Sequence, residues 1–321
     1  MKKIAIWILL VITPLVMGAC LFVGAANLAI QDWPTPLGRA ILCLRASRIA
    51  AAFVVGGALA CSGVVLQALL RNPLAEPYVL GVSSGAGLGA AIAIVLGVTG
   101  AWILPGTAFL GALGTIILVY ALARAPGGIV PVQTLLLSGV VVSAVLGSIL
   151  MFIVSNSTAQ NMHSVVWWLL GNLQIFDWTL LWVVGGVATI GLAVTFFMAR
   201  ALNLMTLGDE SAAHLGLHVE RTRGILFLVG SLMTGATVAA CGLIGFVGLI
   251  VPHIMRLIVG PDHRRLIPAT VLAGAAFMVM ADTFARTVLA PVEIPVGVVT
   301  AFLGGPFFLF LLRRRKGAYR S

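Results

Sequence analysis

Few side chains in this sequence could perform chemistry, because only 9% of its 321 residues are charged. His214 and His218 have the i,i+4 spacing of two ligands on one helix face, but Gly216 interrupts them and no glutamate completes a zinc motif. The chain also lacks a G-x-x-x-x-G-K-[ST] segment, so we do not expect it to cradle nucleotide phosphates. We therefore predict no metal site, no catalytic residue and no cofactor bound by this chain.

Most of the chain is predicted to form membrane helices, which position the few polar residues. Mean hydropathy is +1.15, and repeated apolar runs of about 20 residues match the thickness of a bilayer. These runs are continuously apolar rather than alternating, which favours helices over a transmembrane barrel. The net charge of +10 comes without a basic stripe interleaved with aromatics, so nucleic acid is not an expected partner. The predicted fold class is an all-α integral membrane protein.

Ten transmembrane helices, with the N and C termini in the cytoplasm, account best for the distribution of positive charge. The apolar run at 224–260 would extend about 55 Å as one helix, which exceeds a ~30 Å bilayer core and predicts a break at 242–245. With that break, 15 of the 19 Lys and Arg lie inside, and Arg39, Arg45, Arg48 and Arg286 lie outside. The predicted spans are 4–26, 47–70, 79–98, 102–123, 130–154, 179–199, 224–242, 243–259, 266–285 and 295–312.

Two stretches interrupt the apolar pattern. RNPLAEPYVLGVSSGAGLGA at 71–90 contains Pro73 and Pro77, which end a helix. The residues alone leave open either a tight turn or non-helical backbone beside a cavity. The longest polar loop, 200–223, contains DESAAHLG at 209–216, which predicts a short helix with acid at its start and glycine at its end. That helix could be a docking knob or a plain solvated connector.

At this point the sequence resembles the FecCD-type permease subunits of ABC importers for iron-siderophore complexes, haem and vitamin B12. Four blocks in order carry the resemblance, which covers nearly the whole chain: RNPLAEPYVLGVSSGAGLGA at 71–90, LGDESAAHLGLHVERTR at 207–223, GLIGFVGLIVPHIMRLIVGPDHRRLIPA at 242–269 and EIPVGVVTAFLGGPFFLFLLRRR at 293–315. The resemblance implies ten helices in a single transmembrane permease domain, 1–321, with a cytoplasmic coupling segment at 200–223.

The resemblance also implies roles for individual residues. Coupling to a separate ABC ATPase, which uses ATP and Mg²⁺, is expected at Leu207, Gly208, Asp209, Glu210, Ala212, Ala213, Leu215 and Gly216. A cytoplasmic gate or path is expected at Asn72, Pro73, Leu74, Val132, Gln133 and Thr134. Exposed outer arginines, expected to dock a periplasmic binding protein through its glutamates, are Arg45, Arg48 and Arg286.

The implied function is inward transport of a ferric siderophore, haem or cobalamin across a bacterial inner membrane. A second permease copy is expected beside this one in the lipid bilayer, with a homodimer favoured over a heterodimer. The alternative is an ion-driven secondary transporter of a small solute, which would need carboxylates or histidines near mid-bilayer. The nine acidic residues fall almost wholly in predicted loops or near helix ends, which argues against it. Asp282 and Arg286, spaced i,i+4, are predicted to pair near the outer end of their helix.

Overall fold

The computed structural model describes residues 2–24, 33–98, 100–174 and 177–318, and within them the chain forms α-helices and no strand. The predicted all-α class is therefore confirmed for the described part of the chain. The helices are α1 Lys2–Phe22, α2 Pro36–Leu69, α3 Val82–Val95, α4 Ile103–Ala123, α5 Val132–Ser155, α6 Ala159–Leu169, α7 Trp178–Phe197, α8 Ala199–Met205, α9 Asp209–His214, α10 Val219–Cys241, α11 Val247–Val259, α12 His263–Thr287 and α13 Val296–Ala318.

Seven helices in the described residues are long and apolar enough to cross a membrane, and three shorter apolar helices accompany them. The shorter ones, Val82–Val95, Val247–Val259 and Val296–Leu309, coincide with the remaining predicted spans. The chain is thus a multi-pass membrane protein, and the count of ten crossings stays a prediction. The predicted end of the first span at residue 26 and the last three residues lie outside the described residues.

Helix α2 is the centre of the bundle and packs against α12, α10, α11 and α7. It begins eleven residues before the predicted span, because the Thr35 side chain accepts a hydrogen bond from the Gly38 backbone N–H and Pro36 opens the first turn. Glycine lets its neighbours approach closely: a Cβ at Gly63 would lie 1.9 Å from the carbonyl oxygen of Gly248 on α11.

The predicted break in the 37-residue apolar run is confirmed, because α10 ends at Cys241 and α11 begins at Val247. Gly242 and Phe246 both adopt positive φ angles, of 70° and 68°. A helix cannot continue through such angles, and only glycine adopts them at little cost. The apolar run therefore forms two helices joined by a short non-helical segment.

The stretch that follows α2 is a long non-helical segment rather than a tight turn. Apart from a 3₁₀ turn at Pro77–Leu80, residues 70–81 have no regular structure. A Cβ at Gly81 would lie 3.1 Å from side-chain atoms of both Thr115 and Ser143. Since those residues lie in the middle of α4 and α5, the segment runs back into the bundle before α3 begins.

This segment contacts the break between α10 and α11. The Tyr78 hydroxyl donates to the Ile244 carbonyl at 2.8 Å and accepts from the Ile244 N–H at 3.1 Å. The Glu76 carboxylate accepts a hydrogen bond from the Phe246 N–H. Backbone groups left unpaired by two broken helices are thereby satisfied by side chains, as non-helical backbone within a membrane protein requires.

Candidate functional site

The predicted short helix in the polar loop is confirmed as α9, Asp209–His214. Gly216, at φ 82°, ends it: the Leu217 N–H bonds to the Ala212 carbonyl and the Gly216 N–H bonds to the Ala213 carbonyl, the pattern of a Schellman cap. Ala212 is buried against the protein, whereas Glu210 and Ala213 on the other face are exposed.

Two leucines flank this helix with their side chains in solvent. Leu207 and Leu215 are each 60% exposed, although they lie in the most polar loop of the chain. Paired apolar side chains on a polar loop mark a surface that a partner can bury. The predicted coupling residues thus form and flank a helix that has one face anchored and one face exposed.

The beginning of the polar loop is bound to the start of α12 through the side chains of Asn203 and Asp262. Asn203 of α8 donates to the Asp262 carboxylate at 2.8 Å, and its side-chain oxygen accepts from the His263 N–H at 2.9 Å. Asp262 also caps α12 by accepting from the Arg264 N–H. The hydrogen bond from Asn203 is the largest cause that lowers the pKa of Asp262 below its ordinary value.

Asp209, the first residue of α9, forms ion pairs with two arginines. Its Oδ1 lies 2.9 Å from Nη2 of Arg71, and its Oδ2 lies 2.7 Å from Nη2 of Arg223. Arg71 follows α2 directly, and Arg223 belongs to α10. The helix that the family resemblance assigns to partner docking is therefore joined directly to two elements of the bundle.

The predicted gate residues lie at two different segments near this network. Asn72 directly follows Arg71, and its side chain accepts a hydrogen bond from the Leu74 N–H at 2.9 Å, which shapes a turn around Pro73. These three residues are half-buried. Val132 opens α5 and is half-buried, whereas Gln133 and Thr134 in the same first turn are exposed.

The expectation that the three outer arginines are exposed is wrong. Arg45 is only 6% exposed, and its guanidinium donates to the carbonyls of Leu21 and Phe22 at the end of α1. Arg286 is 3% exposed and donates to the Cys20 carbonyl at 2.8 Å. Both cations cap the last turn of α1, where carbonyls lack helical partners.

Arg48 is the least buried of the three and is already paired with two acids. Its guanidinium lies 2.8 Å from the Asp282 carboxylate and 2.7 Å from that of Glu293. The predicted pair of Asp282 with Arg286 is confirmed at 3.5 Å. These five residues, Arg45, Arg48, Asp282, Arg286 and Glu293, form one cluster, which we call the outer arginine cluster.

Sequence reasoning missed several residues that organise the site. Arg71, Glu220 and Arg223 form the ionic network around Asp209, and Glu76 and Tyr78 hold the broken helices together. The i,i+3 spacing of Glu220 and Arg223 could have predicted the ion pair between these two residues. In the described part of the chain, no group of three or more His, Cys, Asp or Glu could hold a metal ion.

Fold and loop together define the class of protein: a multi-pass helical membrane protein with a short, partly exposed helix on its polar loop. The model of the FecCD transport family matches residues 8–314, and the chain belongs to that family. The family predicted from the four sequence blocks is thus confirmed. The protein is a permease subunit of an ABC importer, and its ATPase is a separate subunit.

Curated relatives and a solved structure support the same assignment. The chain is 46% identical over 273 residues to the cobalamin import system permease protein BtuC of Halobacterium salinarum, covering 85% of this chain and 73% of the relative. It is 38% identical over 307 residues to the hemin transport system permease protein HmuU of Yersinia pestis, covering 91% and 90%. It is also similar to a metal-chelate type ABC transporter in an inward-facing conformation, with a TM-score of 0.88, 30% identity and coverage of 98% and 99%.

Proposed function

We propose that this permease works as a homodimer in a bacterial inner membrane and carries a metal chelate or corrinoid inward between its two copies. Each copy would cross the membrane ten times with both termini in the cytoplasm, the arrangement that the positive charge favours. ATP and Mg²⁺ would bind to the ATPase partner, since the chain has no phosphate-binding G-x-x-x-x-G-K-[ST] segment.

The observation that carries this proposal is the geometry of α9. Its exposed face, flanked by Leu207 and Leu215, is free to enter a cleft on a partner. Its buried face holds Ala212, and its first residue, Asp209, is paired with arginines of the bundle. A helix fixed in this way would pass a partner's movement on to the bundle, whereas a plain solvated connector would move without displacing the bundle.

The cargo is proposed from the relatives, whose printed names specify cobalamin and hemin. Both are metal complexes of large macrocycles, and the cobalamin permease is the more similar of the two at 46% identity. Cobalamin is therefore the first cargo to test, followed by haem and a ferric siderophore. Selectivity is expected to come mainly from the binding protein rather than from the permease.

We still propose that a periplasmic binding protein docks at the outer arginine cluster, but the three arginines would have different roles. Arg45 and Arg286 would hold the end of α1 in place, and Arg48 would meet a carboxylate of the binding protein in competition with Glu293. Glu293, with a side chain 36% exposed, lies at the rim of the cluster. The variant Glu293→Gln should then tighten binding-protein affinity measurably, by at most about fivefold, the upper end for one exposed ion pair. Unchanged or weaker affinity would contradict docking at Arg48.

The first experiment is gentle purification of the tagged chain from its native membrane, with mass spectrometry of the proteins that accompany it. We expect an ATPase with a phosphate-binding loop and no second type of permease. A second permease would replace the homodimer with a heterodimer. Reproducible purification without an ATPase, under conditions that keep other ABC complexes intact, would contradict the proposed role of α9.

The second experiment identifies the cargo and the driving force. The complex is reconstituted in vesicles with ATP on the cytoplasmic side, and uptake is measured for cyanocobalamin, hemin and a ferric siderophore, each with its loaded binding protein. We expect uptake of one of them that persists when a protonophore is added. Uptake that collapses with the protonophore would favour the ion-driven alternative.

A further inference from the structure

The two segments that hold the predicted gate residues are both connected to one buried side chain, the start of α5 directly and the segment after α2 through Asp209. Arg223 of α10 is 1% exposed. Its Nη2 contacts the Asp209 carboxylate at 2.7 Å, and its Nη1 contacts the Glu220 carboxylate at 2.7 Å. Arg223 therefore lies between the coupling helix and the rest of the bundle, with a carboxylate on either side.

The same pair of side chains holds the backbone that leads into α5. Nη1 of Arg223 donates to the Val130 carbonyl at 2.9 Å, and the Glu220 carboxylate accepts from the Val130 N–H at 2.9 Å. Both backbone groups of one residue are thus bound by an ion pair on α10. Val130 precedes Val132, the first residue of α5, by only two positions.

The ion pairs around Asp209 also reach the segment after α2. Asp209 contacts Arg71 at 2.9 Å, and Arg71 directly precedes Asn72. Arg71 has a φ of 45°, the left-handed conformation that a non-glycine residue adopts only when its surroundings hold it there. A shift of the Asp209 carboxylate would therefore act on backbone that is already constrained.

We propose that Arg223 is a positioning residue that links movement of α9 to both gate segments at once, through Asp209 on one side and Val130 on the other. This inference rests on the proposed coupling of α9 to an ATPase. Because Arg223 is 1% exposed and Asp209 is 43% exposed, water screens this pair on the Asp209 side only, and we expect Arg223 to follow a movement of Asp209. The ion pair between Arg71 and Asp209 is weaker, because the two side chains are 39% and 43% exposed and water screens both charges.

The test measures gate movement without any cargo. The permease is purified with its ATPase in lipid nanodiscs after its four cysteines, Cys20, Cys43, Cys61 and Cys241, are replaced by alanine. A single reporter, Leu74→Cys or Thr134→Cys, is labelled with a maleimide, once without nucleotide and once with ATP and vanadate. Otherwise unchanged protein should show a nucleotide-dependent change in labelling rate of about fivefold or more at each reporter, the lower end of typical coupling between sites.

Three variants test the role of Arg223. Arg223→Gln should keep ATP hydrolysis within about twofold of the unchanged complex but lose the nucleotide-dependent change at both reporters, so that the labelling ratio falls to about one. Asp209→Asn breaks the same link at a half-exposed residue and decides the test if Arg223→Gln does not fold. Arg221→Gln is the matched control, because Arg221 lies on the same helix with an exposed side chain and should leave the ratio unchanged.

The outcomes separate this inference from the proposed function. If the unchanged complex shows no nucleotide-dependent labelling at either reporter, ATPase-driven gating is wrong and the inference falls with it. If the unchanged complex responds and both Arg223→Gln and Asp209→Asn respond equally well, the proposed function stands and the role of Arg223 is overturned. Loss at Leu74→Cys alone would also overturn it, because Arg223 is proposed to act on both segments.

Discussion

The two acids that pair with Arg48 are predicted to differ sharply in their contribution to stability. Their distances to Arg48 are nearly equal, 2.8 Å for Asp282 and 2.7 Å for Glu293, but the Asp282 side chain is 1% exposed and that of Glu293 is 36% exposed. Asp282 also lies 3.5 Å from Arg286. Replacing Asp282 with asparagine leaves Arg48 with Glu293 as its partner, but it removes the carboxylate from Arg286, which is only 3% exposed.

The magnitude follows from burial rather than from distance. Removing one partner of a buried ion pair typically costs about 3–5 kcal/mol, because the other charge is left without compensation. We therefore expect Asp282→Asn to lower the free energy of unfolding by about 3–5 kcal/mol. Exposed pairs contribute about 0–1 kcal/mol, so Glu293→Gln should lower it by no more than about 1 kcal/mol.

The assay is reversible unfolding of the purified permease in mixed micelles, with both variants compared at one pH and ionic strength. The two amides preserve side-chain size, so the comparison isolates the charge. Equal losses for the two variants, or a loss below about 1 kcal/mol for Asp282→Asn, would refute the reasoning that burial decides the strength of these pairs. The result also matters for docking studies, since a variant of Arg48 can lose uptake simply because less of it folds.

Three further predictions concern packing, hydrogen bonding and pH. Gly63→Val should prevent accumulation of folded permease in the membrane, because even a Cβ would lie 1.9 Å from the Gly248 carbonyl oxygen; quantitative immunoblotting measures this. Tyr78→Phe should lower the free energy of unfolding by about 1–3 kcal/mol, because both backbone groups of Ile244 lose their partner. The lowered pKa of Asp262 stabilises the fold above the ordinary aspartate value of about 4, so this contribution should fade as pH drops below it, as pH-dependent unfolding would show.

Each of these three predictions has a control within the chain. Gly186→Ala places a Cβ where nothing lies within 4 Å, so it should accumulate normally. Tyr120→Phe removes a hydroxyl from a tyrosine packed against Phe227 and should cost less than Tyr78→Phe. Asp262→Asn cannot titrate, and a pH profile unchanged by that substitution would contradict the role assigned to Asp262.

Local chemistry made the elements of the fold predictable. The break in the apolar run at 224–260 followed from its length and from the charges beyond it, and α10 and α11 separate where the glycines lie. The short helix α9 followed from acid at its start and glycine at its end. In each case the signal lay within one turn or one span, where propensity and capping act.

The outer arginines show where such reasoning fails. Arg45 and Arg48 lie one helical turn apart on the predicted outer side, and nothing near them in the sequence offers a partner. Their actual partners are the last carbonyls of α1 and the acids Asp282 and Glu293, which lie more than 230 residues from Arg48. A charge balance along the chain places a residue on one side of a membrane, but it cannot show whether tertiary packing buries that residue.

The broken helices add a constraint on how the gate can move. The segment at 71–81 is tied at its start, where Arg71 pairs with Asp209, and further along, where Tyr78 binds Ile244. A segment fixed at both points cannot shift as a rigid body when only one point moves. Displacement of α9 should therefore bend the intervening stretch, where the turn formed by the Asn72 side chain lies. The side chains that hydrogen-bond to backbone groups between the helices would in this way also determine which residues move.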